Sequence, residues 1–229
     1  METHHSHLTN PVPDDMLAFL GAELGDTDIA ARLTAILVED ALRWRASGLD
    51  PGSIDTLIAF SFGNEIMPNG NRQPGRVNFA LADIAVQLHK VRGARIFAQW
   101  EIAEAIGKRI PDAALISIFP ARDSRSEPRY LSTEGVAAAI AGMTTQATDL
   151  GNVGVVAFAD HMYRCVTTAR AHGFEAFAPK GVDMPCDYDP KSGQPWCRTR
   201  IAYLLHDIML RIKRSRAAAM GESVEVRPW

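Results

Sequence analysis

Between Ile54 and Pro179 the chain repeats one two-step pattern: a short apolar run of strand length, then a segment whose apolar residues recur at helical spacing. The runs are "IDTLIAFS" (54–61), "ARIFAQW" (94–100), "AALISIF" (113–119), "VGVVAF" (153–158) and "FEAFAP" (174–179). Between them lie "RVNFALADIAVQLHKVR" (76–92), "EIAEAIGKR" (101–109), "TEGVAAAIAGMTTQATDL" (133–150) and "MYRCVTTARAHG" (162–173). Near-continuous apolar runs suit strands that are buried on both faces. Strands alternating with helices call for right-handed crossovers and helices on both sides of one sheet. The pattern predicts an α/β fold, a Rossmann-like three-layer sandwich with a mostly parallel sheet of about five strands.

The flanks read differently. Asp28 to Arg45 has helical periodicity, with Thr27 or Asp28 as cap. "GVDMPCDYDPKSGQPW" (181–196) reads as loop, and the segment from Cys197 to Ala219 as a long amphipathic helix. Ile201, Leu204, Leu205, Ile208, Met209 and Ile212 form its apolar stripe, and Arg211, Lys213, Arg214 and Arg216 make its end basic. Two readings fit: a packing helix whose cations complement its negative C-terminal end, or a contact with an anionic membrane surface. The expected organisation is a flexible N-terminal segment over 1–27, one domain over 28–216 and a tail over 217–229.

Lys and Arg number 24 against 27 Asp and Glu, for a net charge of −3, so the chain carries no overall electrostatic footprint for nucleic acid. The 3 cysteines make no dense even framework and point to a reducing compartment, although Cys186 and Cys197 flank one loop and are close enough in sequence to bridge. No run is long and apolar enough for a transmembrane helix. The opening "METHHSHLTNPVPDD" lacks the basic and apolar regions of a secretory signal, so a cytoplasmic protein is expected. His4, His5 and His7 read as a frayed polar terminus rather than a metal site.

In open parallel sheets, ligands bind outside the carboxyl ends of the strands. Here four successive strand ends carry polar groups. Ser61, Gly63, Asn64 and Glu65 follow the first; Gln99, Trp100 and Glu101 the second. Arg122, Asp123, Ser124 and Arg125 follow the third and lead to Ser132, Thr133 and Glu134 at a helix start; Asp160, His161 and Arg164 follow the fourth. Each has a plainer reading: Gly63 permits a turn, Asn64 and Asp160 cap helices, and Glu101 and Glu134 complement helix N-termini. Cys165 stands four residues after His161, but no third ligand has suitable spacing, so no metal is expected. No G-x-G-x-x-G follows a strand, and neither G-x-x-x-x-G-K-[ST] nor G-x-S-x-G occurs. That argues against an ordinary NAD dehydrogenase, a P-loop nucleotidase and an α/β-hydrolase.

The order of these pieces resembles the ElyC/SanA/YdcF family of bacterial proteins. "AFSFGNE" stands where that family has a strand ending in glycines, and Arg76-Val77 with "ALADIAVQLHKVRGARI" where a helix opens near an Arg-Leu pair. "AQWEIAEA" replaces a Ser-Gly-Gly strand end, "YLSTEG" approximates a Thr-x-Glu-Asn helix start, and "FADHMYRCVTTARAHGF" matches a strand ending in Thr-x-x-His-x-x-Arg-Ala. Only Gly63 remains of the glycine-rich first loop, so the resemblance is to a divergent member with a differently shaped ligand. It implies a soluble branch similar to S-adenosylmethionine binders, with that molecule as the cofactor class.

Three functions follow from these residues. One is an enzyme acting by transfer or hydrolysis on a phosphorylated or nucleotide-like small molecule. In it His161 is general acid/base, a carboxylate from Glu65, Glu101 or Asp160 orients it, and Arg164 and Thr133 hold an anionic group, with Gly63, Asn64 and Glu134 lining the site. The second is a non-catalytic S-adenosylmethionine or nucleotide-binding module in which Glu101 or Asp160 contacts ribose hydroxyls. The third is an envelope-related interaction protein using the basic C-terminal helix.

Overall fold

The computed structural model describes residues 14–120 and 131–221. They form two compact units, one of residues 45–207 and one of residues 14–44 with 208–221.

The larger unit holds the sheet. Its strands are β1 (Gly48–Leu49), β2 (Thr56–Ala59), β5 (Arg95–Gln99), β6 (Leu115–Ile118), β7 (Asn152–Val156) and β8 (Glu175–Pro179), in the order β1-β8-β7-β2-β5-β6. Every neighbouring pair is parallel. The remaining two strands, β3 (Glu65–Ile66) and β4 (Arg72–Gln73), make a separate antiparallel hairpin directly after β2. Helices α3 (Arg76–Arg92) and α4 (Trp100–Ile106) pack on each other, as do α5 (Thr133–Met143) and α6 (Met162–Ala171), which gives the three-layer α/β fold.

The central position of β2 explains its composition: all four of its residues are buried. Its Leu57 and Ile58, and Ile96, Val153 and Val155 of the strands beside it, are fully inaccessible. At Gly154 a Cβ would stand 2.7 Å from Ile54 and 2.9 Å from Leu57, so only glycine lets these side chains cross β7. Ser132 caps α5 by accepting from the Gly135 amide, and Gly173 ends α6 with φ +83°.

The sequence pattern overlooks three elements. β1 has two residues, too few for a periodicity, and the β3–β4 hairpin hides in a Gly- and Asn-rich stretch. In the smaller unit, α1 (Asp14–Leu24) precedes α2 (Thr27–Ala35), which continues as π-helix over Ile36–Arg43. The cap of α2 is Asp26, not Thr27 or Asp28. Its carboxylate accepts from the amides of Asp28 and Ile29.

Helix α7 (Arg200–Ala219) inverts the expected packing. Four residues of its apolar stripe are exposed, Ile201 at 66%, Leu205 at 64%, Met209 at 52% and Ile212 at 42%, whereas Tyr203 and Asp207 are buried. No helix among the described residues is long and apolar enough to cross a membrane.

Candidate functional site

The order of strands reverses at β2, which lies between β7 and β5, so the chain leaves β2 in a crevice where open sheets take ligands. The loop after β2 is held from behind. Asn78 of α3, fully buried, accepts from the Phe62 amide at 2.9 Å and donates to the Gly63 carbonyl at 2.8 Å. Gly63 has φ +74°, and a Cβ there would collide with the hydroxyl of Ser192. The segment carrying Ser192 pairs with this loop, the Gly193 amide donating to the Asn64 carbonyl at 2.6 Å.

On the β7 side the crevice is filled by the protein's own rings. Phe62 stacks on Phe158 with centroids 3.9 Å apart, and Tyr188 stands edge-on to both. On the β5 side it is polar. Gln99 at the end of β5 accepts from the Ser61 amide at 3.2 Å and donates to the Leu131 carbonyl at 3.2 Å, tying the ends of β2 and β5 to the segment that leads into α5. Next to it Glu101, only 2% exposed, points one oxygen at Asn64, whose amide donates to Oε1 at 3.5 Å. Its Oε2 has no hydrogen-bond partner. Burial pushes this carboxyl up to about 7; its backbone hydrogen bond, Ser61, Asn64 and the charge of Arg72 pull the other way without cancelling that.

A second cluster forms where α5, α6 and α7 meet. His161, 4% exposed, has Nε2 3.2 Å from Thr133 Oγ1 and Nδ1 2.6 Å from the Tyr203 hydroxyl. Arg164 Nε donates to the same Nδ1 at 3.2 Å. A guanidinium only donates, so Nδ1 carries the lone pair, the ring proton sits on Nε2, and His161 donates to Thr133. Burial pushes the Tyr203 phenol well up, against the pull of Arg164, so its hydroxyl keeps its proton and donates to Nδ1 while accepting from Arg164 Nη2 at 3.3 Å. Arg164 Nη1 faces His206 Nε2 at 3.2 Å, and Asp207, 1% exposed, lies 4.0 Å from Arg164 Nε. Burial lowers the His206 pKa, and the neighbouring guanidinium lowers it further. Trp196 stacks on that imidazole at 5.6 Å.

The structure brings some of the expected residues together and disperses others. His161, Arg164 and Thr133 share one cluster; Asn64 and Glu101 share another. None of the three candidate carboxylates bonds His161. Glu65 accepts from Gln73 in the hairpin. Asp160 accepts from Tyr188 at 2.9 Å and pairs with Arg200 at 3.0 Å, and it does not cap α6. Glu134 pairs with His172 at 2.6 Å. Arg164 spends donors on His161, His206 and Tyr203, so it braces the imidazole. The thiols of Cys186 and Cys197 are unbridged. Arg122, Asp123, Ser124 and Arg125, with His4, His5 and His7, lie outside the described residues.

Sequence reasoning missed Tyr203, His206 and Asp207, and with them Asn78. The first three carried a signal: positions three and four apart share a helix face, and this face is polar within an apolar helix. Compared with protein-family models, curated proteins and solved structures, the chain matches none.

Proposed function

We propose that this chain is a small-molecule-binding enzyme, acting by transfer or hydrolysis on a phosphorylated or nucleotide-like ligand at the carboxyl ends of the strands. The observation that carries the reading is His161. A buried imidazole, oriented from behind by Arg164 and Tyr203, presents its Nε2 proton to Thr133 on a different element. That arrangement suits proton delivery through the Thr133 hydroxyl to a group leaving the ligand. Glu101, titrating about neutrality in a buried position, is the second acid/base group. In this reading the protein is cytoplasmic and a divergent ElyC/SanA/YdcF member.

The test is a turnover screen over phosphate esters and nucleotides, with His161→Ala and Glu101→Gln as controls. The expected result is a substrate whose turnover drops by at least about a hundredfold in His161→Ala while the melting transition stays cooperative. Undiminished turnover in that variant sinks the assignment.

One observation favours a second reading, a binding module without chemistry: His161 and Arg164 are held in a buried bonded network of the kind that fixes a scaffold. S-adenosylmethionine is the ligand class to try first. Binding that survives His161→Ala, with no product formed, selects this reading. The exposed stripe of α7 favours a surface contact in addition, for which anionic vesicles are the probe.

A further inference from the structure

The smaller unit keeps large apolar side chains outside and small or polar ones inside. Along α2, Ile29 and Leu33 stand one turn apart and are exposed, while Ala30, Thr34 and, in the π-helical continuation, Val38 are buried. The end of α7 repeats the inversion: Met209 and Ile212 are exposed and Ala217 is buried. Helix α1 has 11 residues and packs on α2, yet none of residues 15–24 is buried, and Phe19 is 63% exposed. A helix this short does not hold its shape in water by propensity alone, and apolar rows left outside on three helices mark a surface that another molecule covers.

Charge specifies that molecule. Residues 14–28 carry five Asp and Glu and no Lys, Arg or His, whereas residues 208–219 carry four Lys and Arg and no acid. Asp15 and Glu23 make no ion pair among the described residues. One unit therefore displays an acidic surface and a basic surface, each with exposed apolar side chains. An anionic membrane complements the second and repels the first. A second copy of the chain complements both, because a two-fold axis sets the acidic stretch of each copy against the basic stretch of the other.

We propose that this chain forms a two-fold dimer through the smaller unit, α1 and the start of α2 of one copy packing on residues 208–219 of the other. Phe19, Leu24, Met209 and Ile212 make the apolar part of the contact, and Asp15 and Glu23 meet Lys213 and Arg216 of the other copy. The contact occurs twice about the axis, so the assembly closes with neither surface left over. It does not involve the strand ends and stands whatever they bind.

Sedimentation equilibrium of the full chain is the test. The expected mass is twice the 25.0 kDa of one chain, at a concentration of about 10 μM, where an interface of standard size is populated. Asp15→Lys with Glu23→Lys, and separately Lys213→Glu with Arg216→Glu, should each weaken the dimer at least about tenfold, since like charges then meet at both contacts. Mixed in equal amounts, the two double variants should regain the dimer, because both contacts again join opposite charges; a folding defect is not repaired by mixing. Phe19→Ser and Ile212→Ser, at exposed positions, test the apolar part and should dissociate the dimer with the helical circular dichroism kept. A monomeric mass for the unaltered chain at about 100 μM overturns the proposal, and vesicle binding by that monomer assigns the basic stretch to an anionic membrane instead. A dimer that the exchanged charges leave intact, or a mixture that stays monomeric, overturns it as well.

Discussion

At the scale of single residues, the site is built from side chains that hold other side chains. Asn78 is the plainest case, because it satisfies the Phe62 amide and the Gly63 carbonyl in a place water does not reach. Asn78→Ala leaves both without a partner and is expected to cost about 2–3 kcal/mol, read as a lower urea midpoint with unchanged slope. The tautomer of His161 is equally testable. Nitrogen-detected NMR of the imidazole should show the proton on Nε2 and an unprotonated Nδ1, because Arg164 and Tyr203 both donate to Nδ1. A proton on Nδ1 instead would remove the Thr133 contact from the proposed chemistry.

Among the elements, the loop after β2 and helix α7 depart most from their sequence patterns. Gly63→Ala meets both a positive φ and the Ser192 hydroxyl, so a loss of about 1–2 kcal/mol is expected; Ser192→Gly should restore the steric part but not the backbone part. In α7 the sign of the prediction runs against hydrophobicity. Leu205→Ser, at an exposed position, should change stability by no more than about 0.5 kcal/mol, while Tyr203→Ala should cost about 3–5 kcal/mol. Thermal melts of the two variants decide it. Equal losses would mean that the apolar stripe is the buried face after all.

For the whole molecule, buried titratable groups set how stability depends on pH. The pKa of Glu101 is higher folded than unfolded, so its contribution is fully present below 4.5 and is lost as pH rises through about 7. Integrated over that window the loss is about 3 kcal/mol, and Glu101→Gln should abolish this slope in denaturation curves taken across it. His206 acts with the opposite sign. Its pKa is lowered on folding, so the neutral ring is favoured and stability falls as pH drops below 6.5. The α/β architecture was legible beforehand because a run such as Leu57 to Ala59 and a period such as that of α3 are local properties, which the chain displays wherever it lies. Clustering of polar groups at strand ends was legible for the same reason. What each group faces was not. Asp160 turned to Arg200, Glu134 to His172 and Arg164 to His206, and all three choices depend on partners between 38 and 42 residues away in sequence. Sequence by itself determined the five longer strands, the helices between them and the inventory of groups at the sheet's edge; only the tertiary structure added the two-residue strands and decided which carboxyl was left with an unmatched oxygen and which imidazole was held, because pairing is settled by distance in space and burial by everything packed around it.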